Sequence, residues 1–293
     1  MTDRNQAESM SAIVGISIRV RLLLNRYIVD RAEAKKLKLE RRILYPYAYR
    51  GAEVVAFTET WPNAVIIYPY EEKSDGSSGL IPESQFKRDC PNAYQHLISK
   101  KKELQRRMDS RKYYATGSFW YRYLRAGSFR YIHPPKLLIK GIDMRLTVGT
   151  LPEDTAFNGA NCPGVILEEA QDQKPAYFLG ILNSQLLSYC LRMVCPTKLG
   201  GYTRFNANNL NDAPIRMIDF LNPADKSRHD EMVAKVNAMV EAKKGLAGAQ
   251  TDKDKAYYES KCNALDRQID ELVYDLYGLN KEEIAIVEQA AAE

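Results

Sequence analysis

Between Lys100 and Arg145 the chain interleaves cations with aromatic rings, a mixture suited to holding a polyanion that also carries flat rings. The window contains thirteen Lys and Arg against Glu103, Asp109 and Asp143, about +10 in a chain whose net charge is +5, so the remainder is net acidic. Lys100, Lys101, Arg106, Arg111 and Lys112 form one basic stretch able to neutralise phosphates. Behind it, Tyr113, Tyr114, Phe119, Trp120, Tyr121, Tyr123, Phe129 and Tyr131 lie among Arg122, Arg125 and Arg130, and such rings and guanidinium forks can meet base faces and edges. A purely structural reading stands beside this one: a solvated helix face next to a tyrosine-rich core strand. Strand neighbours point to opposite faces, so only about half of these rings can face a ligand under either reading.

A second set follows at Lys198, Gly200-Gly201, Tyr202, Thr203 and Arg204. The paired glycines open backbone conformations closed to other residues and present Tyr202 and Arg204. The GKS or GKT ending of a P-loop is absent, so nucleotide binding is not expected here. The plain alternative is a helix-to-strand connection.

Catalytic chemistry is hard to assemble from the remaining residues. His96, His133 and His229 fall in unrelated elements, and no HExxH, GxSxG or Cys/His pairing occurs. The acidic pair Glu168-Glu169 lacks a downstream partner for a metal-dependent nuclease centre, while Asp75 and Asp143 are isolated. No Gly-rich strand-to-helix turn and no Asn-Pro-Pro-Tyr tetrapeptide is present. Five scattered cysteines without a CxxC pair point to reduced thiols rather than zinc or disulfides. Arg19, Arg21 and Arg26 interrupt the apolar residues near the N-terminus, and no apolar run reaches eighteen residues. The expectation is a cytoplasmic protein with no membrane segment.

The elements that must position these residues can be read from periodicity. Residues 1–12 read as a polar leader, and Ala64–Tyr70 reads as a buried strand. A helix is predicted from Pro91 to about Arg111, with Tyr94, Leu97, Ile98, Leu104 and Met108 on its apolar face. Gly117–Tyr123, Pro135–Lys140 and Val165–Leu167 look like strands, and Ala176–Met193 like an apolar helix. Near the C-terminus, His229, Met232, Val236, Met239 and Lys243 are spaced three and four apart. So are Tyr258, Cys262, Leu265, Ile269, Leu272 and Leu276, the pattern of an antiparallel helical hairpin.

Taken in order, several of these segments resemble one known family. They are Ile43–Gly51 (ILYPYAYRG), the strand Ile67–Tyr70 and a helix with Pro91, Tyr94, Leu97, Lys101, Leu104 and Arg107. Trp120, Pro135–Ile139 (PKLLI), Tyr177–Tyr189 (YFLGILNSQLLSY), the Gly-Gly-x-x-x-Phe loop, Leu210–Ile215 (LNDAPI) and the tail Ile269–Val287 follow. Over residues 40–290 the set is similar to the TaqI-like C-terminal specificity domain of type IIG restriction–modification enzymes and adenine-specific DNA methyltransferases.

The resemblance implies an α+β fold, an irregular mixed-sheet target-recognition domain with long C-terminal helices, like the recognition domains of type I specificity subunits. The domains expected are a leader and connecting helix over 1–40, DNA recognition over 41–222, and a hairpin over 223–293 that docks on a catalytic domain or pairs with a second copy. Double-stranded DNA is the expected ligand, gripped by Lys100, Lys101, Arg106, Arg111, Lys112 and Tyr114. Arg122, Arg125, Arg130, Lys198, Tyr202 and Arg204 are the expected readers of bases, while Arg107 fits equally well as an internal anchor. The resemblance places no cofactor in this chain; S-adenosylmethionine, and magnesium for a nuclease step, belong to a catalytic domain or subunit that normally precedes this region. The chain is then a fragment of a larger enzyme or a separate specificity subunit. Two other readings stay open: an RNA-binding or interaction protein built on the hairpin, and a complete nuclease or methyltransferase with an unrecognised site.

Overall fold

The β-branched and aromatic run from Ala64 to Tyr70 is buried at every position, and the strand it forms lies between two others. The computed structural model describes residues 7–9, 26–167 and 174–292. Its first part contains strands β1 (Ala7–Ser9), β2 (Ile28–Asp30), β3 (Leu44–Ala48), β4 (Ala64–Ile67), β5 (Tyr70–Glu72), β6 (Ser78–Leu80), β7 (Met108–Asp109) and β8 (Lys112–Tyr113). Helices α1 (Arg31–Lys36), α2 (Glu83–Asp89), α3 (Pro91–Ile98) and α4 (Lys101–Gln105) lie among them. The second part has β9 (Lys136–Ile139), β10 (Ile142–Asp143), β11 (Val148–Leu151), β12 (Ala156–Phe157), β13 (Gly164–Val165), β14 (Thr203–Arg204) and β15 (Pro214–Arg216). Its helices are α5 (Pro175–Asn183), α6 (Gln185–Val194), α7 (Ala207–Leu210), α8 (Pro223–Gly248), α9 (Asp252–Tyr277) and α10 (Lys281–Ala292).

The fold is α+β. A mixed sheet of order β12-β3-β4-β2, with β12 parallel to β3, carries a core of tyrosines and aliphatics that includes Tyr27, Ile67, Phe86, Trp120 and Tyr121. An antiparallel sheet of order β11-β9-β13 shares a second core with α5, α6, α8, α9 and α10. A small cluster containing Ala48 of β3 and Leu138 of β9 lies where the two meet. The long helices pack against each other as their heptad spacing predicts. Arg228 meets Asp275, Lys235 meets Gln268 and Gly245 faces Tyr258, so each step up α8 is a step down α9, and the pair is antiparallel.

Three elements differ from expectation. The helix predicted over 91–111 is two short helices, and its basic half ends at Gln105, where the chain turns into the β7–β8 ribbon. Gly117–Tyr123 is no strand. Three successive backbone carbonyls are taken by buried side chains, Trp120 O and Arg122 O by Arg107 and Tyr121 O by Tyr27, so none of the three pairs with a strand. The helix predicted over 176–193 breaks at Ser184, whose hydroxyl accepts from Leu187 N and starts α6 afresh. Glu168 and Glu169, and the leader apart from residues 7–9, lie outside the described residues.

Candidate nucleic-acid interface

Arg107 organises the basic region from inside. It is 2% exposed, and its guanidinium donates to Leu104 O at 2.7 Å, Trp120 O at 3.0 Å and Arg122 O at 2.8 Å. The rings of Tyr27 and Tyr114 flank it, with centroids 5.4 and 5.1 Å from the guanidinium carbon. Carbonyl dipoles and π faces thus solvate a buried cation. The same contacts fasten the end of α4, the root of the ribbon and the 120–122 loop to one point. Tyr70 strengthens the joint by accepting from Tyr123 N at 2.6 Å, and burial pushes its phenol up to about 12.

Around that anchor the predicted residues divide. Arg106, Arg111, Lys112, Arg122 and Arg125 are exposed, on segments that Arg107 holds together or that follow directly. Lys102, which was not singled out, is exposed as well, and it lines a shallow depression with Lys100, Lys101 and Arg106. Lys100 and Lys101 are half-buried. The ammonium of Lys100 lies 2.7 Å from His96 Nε2 and is lowered by burial; that of Lys101 sits over the Trp120 ring, 4.0 Å from Glu83. Tyr114 is half-buried against Arg107, and Arg130 is exposed beside the Tyr131 ring. Of the rings in this segment, Trp120, Tyr121, Tyr123 and Phe129 belong to the core, while Tyr113 and Phe119 are open to solvent.

Several cations in the charged window serve the fold instead. Lys136 donates to Ile132 O and Thr155 O, and burial lowers its ammonium to about 7. Lys140 pairs with Asp143, and Arg145 forms a two-pronged contact with Asp266 on α9.

The Gly200-Gly201 loop is the tip of a hairpin. Thr197 and Thr203 bridge across it, Lys198 N donates to Tyr202 O at 2.6 Å, and both glycines have left-handed φ of 77° and 78°. β14 extends the hairpin onto β10, pairing Arg204 with Ile142. Lys198, Tyr202 and Arg204 are exposed, and Leu199 at the tip is 98% exposed. The loop is a hairpin tip and not a glycine-rich turn leading into a helix N-terminus, the arrangement that cradles a phosphate. The hairpin is rooted in the helical core, whereas the Lys100–Arg130 group is rooted in the tyrosine core. Among the described residues, no three His, Cys, Asp or Glu side chains are grouped so as to hold a metal ion.

The family-like motifs turn out to be the joints of this scaffold. Asn183 occupies the place of a further strand beside β11, accepting from Val148 N and donating to Val148 O, both at 2.9 Å. Ser188 accepts from Leu146 N, and Asp270 on α9 caps α6 by accepting from Gln185 N at 2.8 Å. Tyr277 clasps β15, donating to Pro214 O and accepting from Arg216 N, while Tyr177 donates to Arg216 O. His229 is buried and accepts from Lys174 N at the start of α5. The β7–β8 ribbon escaped sequence reasoning altogether. Its Ser110-Arg111 turn lacks the Asn-Gly or Asp-Gly signature by which such hairpins are recognised.

Comparison with known proteins agrees with this scaffold. The family model for the TaqI-like C-terminal specificity domain matches residues 48–215, more than half of the chain. The type II restriction enzyme and methyltransferase RM.Eco57I of Escherichia coli is 24% identical over 272 residues, which cover 87% of this chain and 26% of that enzyme. The chain therefore spans about a quarter of the length of this relative.

Proposed function

The chain belongs to the family of TaqI-like C-terminal specificity domains, and on that premise we propose that it reads a duplex DNA sequence for a type II restriction–modification enzyme. The enzyme is of the IIG kind and methylates adenine. Residues 41–222 bind the DNA, and the hairpin over 223–293 docks on the catalytic portion, which holds S-adenosylmethionine and magnesium and carries out the chemistry. The observation that carries this reading is the cluster of exposed cations on segments fastened by Arg107, namely Arg106, Arg111, Lys112 and Arg122. A buried arginine that fixes the backbone beneath a set of exposed ones gives a preorganised surface for a polyanion. Phosphate contacts from this surface supply affinity and a slope of log K against log salt of about −0.9 per neutralised phosphate.

The test begins by selecting a preferred sequence from random duplexes with the full chain. Replacing Arg122 and Arg125 by Ala should then weaken binding to that sequence about tenfold or more, as expected for contacts worth about 1–3 kcal/mol. Both side chains are exposed, so the unfolding midpoint should move by no more than about 2 °C. Unchanged affinity would move recognition away from this surface. A preference for single-stranded RNA over duplex DNA would favour the RNA-binding alternative.

A further inference from the structure

The ribbon formed by β7 and β8 has no visible task in the fold. Every residue from Met108 to Tyr113 is exposed, including the apolar pair Met108 and Tyr113, which face each other across the two strands. Asp109 and Lys112 form the next pair, on the opposite face by strand alternation. The connection is only two residues, Ser110 and Arg111, and both have left-handed φ, 48° and 65°. Hairpin turns of this type favour Asn-Gly because a Cβ resists the conformation, yet here an arginine occupies the glycine position. The strand leading to this turn begins at Met108, the residue after Arg107, so the ribbon rises directly from the buried anchor. A stiffly rooted, solvent-exposed ribbon that keeps a strained arginine at its tip is built to present that arginine.

We propose that the Met108–Tyr113 ribbon enters the major groove of duplex DNA and that Arg111 contacts a guanine edge there. The assignment rests on the DNA-recognition reading above and adds to it a base-reading residue and a groove. The major groove, about 12 Å wide, admits a two-stranded ribbon, and an arginine fork matches guanine O6 and N7. Met108 and Tyr113 supply apolar surface of the kind that packs against sugars and thymine methyl groups, and Lys112 supplies a phosphate contact.

The experiment uses the full chain, a duplex selected from a random pool and a scrambled duplex of equal length. Affinities are measured over a range of salt for the unaltered protein, Arg111→Gly and Arg111→Lys, together with thermal unfolding. Arg111→Gly should raise the unfolding midpoint, because glycine relieves the turn, while weakening the selected duplex about tenfold or more and the scrambled one little. The salt slope should stay unchanged, and Arg111→Lys should not restore selectivity, because an ammonium lacks the fork. An equal loss on both duplexes, with the slope smaller by about 0.9, would make Arg111 a phosphate contact and overturn the proposal. Intact selectivity in Arg111→Gly, or a lowered midpoint, would overturn it as well. If the unaltered chain selects no sequence, the underlying DNA reading fails, an outcome distinct from selection that survives the glycine variant.

Discussion

One hydrogen bond joins Arg107 to Arg122, from the guanidinium of the first to the carbonyl oxygen of the second, and it divides the work between them. Arg107 is buried and holds backbone, whereas Arg122 lends its carbonyl to that joint and leaves its guanidinium outside. The same division between inward and outward charge governs Asp270. Burial holds its carboxyl up at about 6, against an ordinary value of 3.8, while it accepts from the backbone and side-chain amides of Gln185. A raised pKa means that the folded chain takes up this proton more readily than the unfolded one. The resulting stabilisation is full below about pH 4 and is lost as pH rises through about 6. Asp270→Asn abolishes that contribution, so the stability of the unaltered protein minus that of the variant should fall between pH 4 and pH 7. Urea titrations at intervals across this range measure the difference, and a flat difference would show an ordinary carboxylate.

At the scale of elements, the hairpin reaches the body through a helix contact that only a small residue permits. A Cβ added to Gly180 of α5 would lie 2.5 Å from Met232 Sδ and 2.9 Å from Val236 Cγ2, both on α8. The methionine can swing aside, but a β-branched valine in a helix has essentially one rotamer. Gly180→Leu should therefore separate α5 from α8 at a cost of about 1–3 kcal/mol, seen as a lower thermal midpoint. Gly248, where an added Cβ meets open space, provides the control: Gly248→Ala should be neutral or slightly stabilising. A midpoint for Gly180→Leu equal to that of the control would mean that the two helices are not in close contact.

Over the whole molecule, the hairpin and the antiparallel sheet share one interior. Val236, Met239, Ile269 and Val273 of the long helices pack in the same cluster as Tyr177, Ile181 and Leu187 of α5 and α6 and Val148 of β11. Removing 223–293 would uncover those body residues and delete Asp266 and Asp270, the carboxylate partners of Arg145 and Gln185. Residues 1–222 alone are expected to bind a hydrophobic dye and to unfold without a sharp transition. A cooperative transition at the full-length midpoint would show that the hairpin is an independent unit. The exposed cations, in contrast, lie over the tyrosine core, so damage to the hairpin and damage to the basic surface should be separable.

Local pattern determined a good deal of this protein. The β-branched run at Ala64–Ile67, the three-and-four spacing of the long helices and the ordered motifs from Ile43 to Val287 led to an α+β chain of the TaqI-like specificity family. The strand and the long helices were legible because burial imposes periods of two and about 3.6 on the sequence, whereas the family was read from the resemblance of the ordered motifs. Tertiary structure alone decided which charges face outward. Lys136 and Arg145 read like their neighbours in the sequence, and Arg107 fits an internal anchor or a contact equally well, yet each is tied to groups that the fold brings close, as far as 121 residues away for Arg145 and Asp266. The missing strand at 117–123 and the ribbon at 108–113 have the same origin. Their backbone groups are satisfied by side chains or by a turn without its usual residues, and neither arrangement leaves a period in the sequence to read.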